Sequence, residues 1–595
     1  MALEEFYKKK IEEASTQELL FLNKGKKLPA LRLLIVILSG ISFYNLLSIN
    51  TYLAIATLIF FVFLFILIAI YDIRISKKKL FFHSIKKINE QELECIGGKF
   101  QFFPNGEKYM DGNHNYSSDI DIFGKASLFQ YLNRTTLDFS SEILANWLKS
   151  PANPDEIKQR QEAVKELNPK IEWRQKLFAL GLKYDESDNN PQKIIDWIME
   201  APIFLGRKFL FLLCTTFPII TATAIFFSFT FLPSGIPVLL VLIHVLIIMF
   251  TNKDVKVIHD MVSRNVKLLK AYSEIINHIE ADEFESDKLK KLKTDLKTEK
   301  GTASQTIKYL SGILHKLDYR YNIYVHFIIN TVFFWDFHQI IRLEKWKSKN
   351  HENIGKWFQS VGEIEAISSL ANFSFNNPNF SFPEISENNF AFEAKELGHP
   401  LIKTSQRICN DIEIDQTSKI LLVTGSNMSG KSTFLRTVGV NIVLATAGSC
   451  VCAEKFRVSP MNVLTSMRII DSLEENTSSF YAELKRLEKI LKIVESKEKV
   501  FLLLDEILRG TNTTDRHIGS IALIKQLIKN NAVGIIATHD TSLSNLSAEM
   551  PMNLENFNFD VQVENEELYF DYKLHEGVCK SLNASILMKK MGIHI

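Results

Sequence analysis

Leu421-Leu-Val-Thr-Gly-Ser-Asn-Met-Ser-Gly-Lys-Ser-Thr433 decides the reading of this chain. An apolar run ends in Gly425, four residues intervene, and Gly430-Lys431-Ser432 opens a helical pattern. That spacing predicts a strand–loop–helix unit in which backbone N–H groups at a helix N-terminus cradle phosphates. The glycines belong there because a Cβ would keep the backbone away from an anion. Lys431 is placed to reach the β- and γ-phosphates, and the Ser432 hydroxyl to ligate Mg²⁺.

Two further apolar runs complete the pattern. Val500-Phe-Leu-Leu-Leu504 reads as a strand buried on both faces of a parallel sheet and ends in Asp505-Glu506. An acid at the carboxyl end of such a strand lies beside the phosphate loop, so Asp505 is expected in the Mg²⁺ shell. Glu506 is expected to orient or deprotonate the attacking water. Ala532 to Ala537 leads into Thr538-His539-Asp540, which makes His539 a candidate γ-phosphate sensor. A helix with Leu484, Leu487, Leu491 and Val494 on one face follows Asp471 to Glu483, with Ser478 and Ser479 as N-cap candidates. A helix N-terminus is also an anion site.

Outward from this core the chain is long enough for several domains. A net charge of +2 gives no global footprint for nucleic acid. The six cysteines are scattered, and Cys450-Val-Cys452 has neither a second pair nor histidine partners, which argues for buried free thiols rather than zinc or disulfides. Four segments have membrane character: Leu33 to Ser48, Tyr52 to Tyr71, Phe209 to Leu232 and Ile236 to Phe250. They form two hairpins, turning near Asn50 and at Pro233-Ser-Gly235; the fourth is short, contains His244, and is open to a tilted or re-entrant reading. Lys and Arg flank both hairpins at their open ends and are absent from the tips. The positive-inside rule then predicts a multi-pass integral membrane protein with both termini and all large segments in the cytoplasm. Phe327 to Ile341 is expected to be an amphipathic packing helix, because Asp336 and His338 interrupt it.

At this point a resemblance is plain. Thr424 to Thr433, Ala447 to Phe456, Ser478-Ser-Phe-Tyr-Ala-Glu483, Asp505 to Asp515 and Ala537-Thr-His539 resemble the ATPase domain of the MutS family. His399-Pro400 resembles the entrance to that domain, Ser127 to Leu167 the start of the core and lever region, and Gly362 to Leu370 its end. The resemblance implies ATP and Mg²⁺ as cofactors. It places Gly425, Ser426, Asn427, Met428, Ser429, Gly430, Lys431, Ser432 and Thr433 on the nucleotide, Ser432 and Asp505 on the metal, and Lys431, Asp505, Glu506 and His539 in catalysis. It also implies a homodimer in which Ser478 reaches the γ-phosphate of the opposite subunit. Ser426 and Ser429 stand where the family has Pro and Gly, and Arg407 where it has an aromatic under adenine; a guanidinium can stack there too. The wedge-bearing N-terminal reader of the family has no counterpart, since that region is apolar here, and Phe382-Pro-Glu384 lies in a different place.

The expected fold is an α/β P-loop NTPase domain of ABC/MutS type, C-terminal to an all-α lever region, with four transmembrane helices in two hairpins. The expected boundaries are an N-terminal segment 1–29, hairpin 30–72, helical part 73–207, hairpin 208–251, helical part 252–395 and ATPase domain 396–595. The expected partners are a second copy, the lipid bilayer and a protein partner that the sequence does not name; DNA stays open, without mismatch preference. A tethered repair protein and an ABC-type transport ATPase are the rival readings. The absence of an LSGGQ-like signature speaks against the second.

Overall fold

The structure, a computed structural model, describes residues 2–182, 196–262, 266–298, 301–387, 390–426, 428–468, 479–564 and 567–579. It divides into two units, Met1–Phe100 with Glu172–Asp185, and Gln101–Ile171 with Glu186–Ile595.

The first unit is helical. Ala2–Lys26 is followed by Leu28–Leu47, which Pro29 helps to start, and by the 46-residue helix Thr51–Ile96. The turn falls where the sequence places it: Asn50 accepts from the N–H groups of Tyr52 (2.9 Å) and Leu53 (3.2 Å) and caps the long helix. Arg32 and Asp72 pair at 2.6 Å across the open end of the hairpin. The third helix runs from the apolar stretch into the polar Asn89–Gln175 pair without a break at the expected boundary near residue 72.

The first unit also takes most of the helix Ile171–Gly181; the second unit holds the other helices and, among the described residues, three sheets. Lys208–Ser228 and Gly235–Val262 form the second hairpin. With Leu3–Leu47 and Thr51–Ile96, they give four helical stretches long and apolar enough to cross a membrane. His244 is satisfied between its hairpin partner and the helix Ile323–Phe333, with Thr221 Oγ1 at 3.0 Å from Nε2 and the Thr331 carbonyl at 2.7 Å from Nδ1. The helices in the part expected to be the lever region are Asp138–Lys149, Pro154–Leu167, Val266–Glu280, Asp287–Asp295, Ala303–Leu317 and Trp335–Asn376. A two-residue ribbon of β1 (Lys297–Thr298) and β2 (Gly301–Thr302) lies among them.

Two buried carboxylates fix this scaffold. Asp138–Lys149 lacks a capping side chain of its own at Leu137. Glu365, fully buried on the 42-residue helix, accepts instead from the Thr136 hydroxyl (2.6 Å) and the N–H groups of Thr136 and Leu137. Burial pushes its carboxyl above the ordinary range. On the same helix Glu344 accepts from the N–H groups of Ile203, Phe204 and Leu205 at the base of the second hairpin. Phe327 to Ile341 is not the single packing helix that its pattern predicts. Ile323–Phe333 ends at Phe334, whose φ of 45° is left-handed, and Trp335–Asn376 begins there.

The α/β part has a small sheet of β3 (Glu384–Ile385), β4 (Phe392–Leu397), β5 (Asn410–Ile414) and β7 (Lys455–Val458). The main sheet comprises β6 (Ile420–Gly425), β8 (Asn462–Ser466), β9 (Val500–Asp505), β10 (Val533–Thr538), β11 (Leu554–Glu564) and β12 (Glu567–Glu576). Its order is β12-β11-β6-β10-β9-β8, parallel except for β12. Every residue of β6, β9 and β10 is buried, as expected for strands covered on both faces. Lys431–Ala447 covers one face, where Gly439 lets Leu503 approach; Ser479–Glu495 and Thr513–Lys529 cover the other, against Leu502, Leu504 and Ile536.

Candidate functional site

The sheet register builds the site. β10 lies between β6 and β9, pairing Thr538 with Thr424 and Ala537 with Asp505. Three strand ends therefore finish in one row, and the residues just beyond them converge. From β6 comes the Gly425–Ser432 loop, with Met428 and Gly430 at φ 67° and 103° and Gly430 as the N-cap of Lys431–Ala447. A Cβ at Gly425 would stand 2.8 Å from the Ser429 hydroxyl and 2.9 Å from the Phe559 carbonyl, so the tight course of the loop requires glycine there.

Lys431 Nζ donates to the Gly425 and Ser426 carbonyls at 2.9 and 2.8 Å and lies 3.5 Å from His539 Nδ1. Burial holds its pKa below the usual lysine value, opposed by Asp505 and Glu506. Ser432 Oγ donates to Asp505 Oδ2 at 2.5 Å. Asp505 Oδ1 and the Ser429 hydroxyl are buried without a hydrogen-bond partner among the described residues. The Ser432 and Asp505 oxygens are the donor set that a hard dication takes, and the unmatched Oδ1 fits a role as ligand.

Glu506 follows β9 at φ 50°, an uncommon conformation for a residue with a Cβ. It is pinned by its own N–H to the Ala537 carbonyl (2.9 Å), by a close contact with His539 Nε2, and by Arg509 Nε at 3.0 Å. The His539 contact, with Arg509 and Lys431, holds the Glu506 carboxyl below the ordinary carboxylate range. His539 Nδ1 meets the Gly425 carbonyl at 2.8 Å, so this ring spans the gap between the loop and the acidic turn. The turn itself is held by Glu483, which accepts from the N–H groups of Leu508 and Arg509.

Beside these groups lies a cavity of about 450 Å³, walled by Met428 to Thr433, His399, Asn410, Phe559 and Tyr572. Tyr572, at φ 53° on β12, lies so close to Gly430 that an added Cβ would meet its ring at 3.0 Å. Arg407 does not line this cavity. Its guanidinium donates to the Ile402 and Pro400 carbonyls and lies 5.2 Å over Phe380. Gln406 and Ile408, the residues on either side, line the cavity instead.

The structure thus brings Gly425, Ser426, Met428, Ser429 and Gly430 of the loop and Lys431, Ser432 and Thr433 of the first helical turn against Asp505, Glu506 and His539. Asn427 and Ser478 lie outside the described residues. Arg509, Glu483 and Tyr572 were not singled out as site residues from the sequence. Arg509 and Glu483 lie inside motifs that could have pointed to them, whereas nothing local marks Tyr572.

Residues 421–591 match the family model described as MutS domain V. Over this C-terminal part the chain is similar to the MutS family. It is 33% identical over 253 residues to the DNA mismatch repair protein MutS of Thermotoga petrophila, covering 41% of this chain and 30% of that protein. Against the same-named proteins of Persephonella marina and Listeria innocua the identities are 31% over 248 and 32% over 250 residues, covering 41% of this chain and 27% and 28% of theirs. The chain thus spans less than a third of the length of these MutS relatives.

Proposed function

We propose that this chain is a membrane-anchored MutS-like ATPase that hydrolyses ATP with Mg²⁺ and passes the resulting rearrangement through its lever helices to the membrane segments or to a partner. The observation that carries the reading is the row of three strand ends, which gathers a lysine, a hydroxyl, two carboxylates and a histidine around one glycine-framed loop.

In this reading the loop N–H groups and the start of Lys431–Ala447 bind the phosphates, and Lys431 exchanges its own loop carbonyls for them. Ser432 and Asp505 would hold Mg²⁺, which when bound neutralises charge on the β- and γ-phosphates. Glu506 accepts the proton of the attacking water. The new bond forms from water oxygen to the γ-phosphorus, and the bond to the bridging oxygen breaks as ADP leaves. His539 and Arg509 keep Glu506 ionised and aimed, a positioning role. Tyr572, Phe559 and Ile408 offer the base an aromatic and apolar wall, and His399 and Asn410 a polar edge. Family resemblance supports a second copy in the complete site, supplying its Ser478 in trans.

The test is ATP turnover and nucleotide binding by the detergent-solubilised chain. Lys431→Ala is expected to lose both. Glu506→Gln is expected to keep binding and lose turnover by about 10²-fold or more. Unchanged turnover in Glu506→Gln would remove this mechanism.

A further inference from the structure

The apolar surface of the second unit does not end with its hairpin. Ile323-Tyr-Val-His-Phe-Ile-Ile-Asn-Thr-Val-Phe333 contains no Asp, Glu, Lys or Arg. Its outer face is bare: Tyr324, Phe327, Ile328 and Phe333 are 83%, 63%, 62% and 58% exposed. His326 and Asn330 spend their polar atoms inward. His326 Nε2 and Arg320 Nε meet Asp336 at 2.8 and 3.3 Å, and Asn330 accepts from the Asp336 N–H at 3.1 Å.

Its position along the hairpin is fixed by contacts at both ends. At the start, Arg320 donates to Asn252 at 2.6 Å and Asp318 faces His259 at 3.1 Å, beyond the apolar part of Gly235–Val262. At the other end the Thr331 carbonyl meets His244, midway along that apolar part, and the Phe334 ring lies 4.6 Å from the same imidazole. From Asn252 to His244 is roughly 12 Å of helix, and from Ile323 to Thr331 roughly the same. Eleven residues give about 17 Å, too short for a hydrocarbon core of about 30 Å. The chain enters from Ala303–Leu317 and leaves through Trp335–Asn376, both lever helices. Tyr321, 5.3 Å from the His259 ring, and Tyr324 lie toward the shallow end, and Phe327, Ile328, Val332 and Phe333 follow along the helix toward the deep end; Tyr319 instead stacks on Trp335. Tyrosines at the level of headgroups with Phe and Ile below them suit a lipid interface rather than a protein partner.

We propose that Ile323–Phe333 is a re-entrant, lipid-facing helix that dips into the bilayer beside the second hairpin and turns back at Phe334. The lever helix Trp335–Asn376 then starts inside the membrane. The proposal rests on the membrane reading above, and its test separates the two.

Single cysteines are introduced as Phe327→Cys, Ile328→Cys, Leu242→Cys and Glu352→Cys in a Cys409→Ser background, since the other five native cysteines are buried. The full chain is spin-labelled, placed in phosphatidylcholine nanodiscs and checked for nucleotide binding. Collision with oxygen, which concentrates in lipid, is compared with collision with a water-soluble nickel chelate. The expected result is a lipid-like ratio at Phe327, Ile328 and Leu242 and a water-like ratio at Glu352. Lipid-like Leu242 with water-like Phe327 and Ile328 would overturn this proposal alone. Water-like Leu242 would overturn the membrane reading with it. Labels at Phe327 and Ile328 shielded from both reagents would show the face covered by protein and also overturn the proposal.

Discussion

His399 accepts from the Leu401 N–H at Nδ1 (3.3 Å) on the wall of the cavity, half-buried and near Arg436 and Arg407. Burial first, then those arginines, lowers its pKa from the usual 6.5 to about 4. The unfolded chain therefore binds the proton at higher pH than the folded chain does. The stabilising contribution of the neutral ring is complete above 6.5 and is lost as pH falls toward 4. Between about pH 7 and pH 5 this amounts to roughly 2 kcal/mol. Unfolding of the solubilised chain is expected to show that slope, and His399→Asn to flatten it; an equal slope in both would exclude His399 as its source. Tyr572→Ala is expected to weaken nucleotide binding about three- to tenfold, the size of one aromatic contact, with turnover at saturation little changed. Lys431, Ser432, Asp505 and Glu506 were legible because short-range order alone places them: a lysine one residue after Gly430, an acid at the end of an apolar run. Tyr572 was not, because only the pairing of β12 with β11 brings it to the loop. The course of Arg407 is not legible either: Gly398, with no side chain, lets its stem fold back onto local carbonyls.

Among the elements, the turn after β9 depends on Glu483 of Ser479–Glu495. Its carboxylate accepts from two successive backbone N–H groups, Leu508 and Arg509, while Glu506 and Leu508 both hold left-handed φ values. Losing that acceptor leaves two donors unmatched, at about 1–3 kcal/mol each where buried. Glu483→Ala is expected to lower turnover about tenfold or more with nucleotide affinity nearly unchanged, and Glu483→Gln, which keeps one carbonyl, to recover part of it. Matching losses in affinity would mean that the helix acts on binding instead. The strands were readable as apolar runs, but their order was not. Nothing in Val500–Asp505 says that β10 will lie between it and β6, and that insertion is what sets His539 between loop and acid. The break at Phe334 was hidden for a related reason: no Gly or Pro marks it, and tertiary contacts to His244 hold a bulky residue left-handed.

For the whole molecule, the part resembling MutS proteins that are named for mismatch repair is 41% of the chain, and the rest includes four apolar helical stretches. Binding to matched and mismatched duplexes near physiological salt, with and without ATP, is expected to show no mismatch preference above about tenfold, or roughly 1.4 kcal/mol. A larger preference would favour the tethered-repair reading. Asn50→Cys and Ser234→Cys, both exposed at hairpin turns, are expected to react with an impermeant thiol reagent in intact cells, and Glu352→Cys is not. The reverse pattern would invert the topology. Mixing Lys431→Ala with Ser478→Ala chains is expected to restore one working site per mixed pair; no recovery in any mixture would exclude the trans arrangement.

Glu344 and Glu365 grip the hairpin base and the start of Asp138–Lys149 from one continuous helix, roughly 32 Å apart. Each grip is a buried carboxylate holding several donors, which tolerates little slack before bonds are lost. A tilt of that rod by about five degrees moves one end by roughly 3 Å relative to the other, about the length of one hydrogen bond. Small strains would therefore be resisted, and larger ones would release a grip outright. Such a rod transmits motion as a threshold device, closer to a toggle than to a spring.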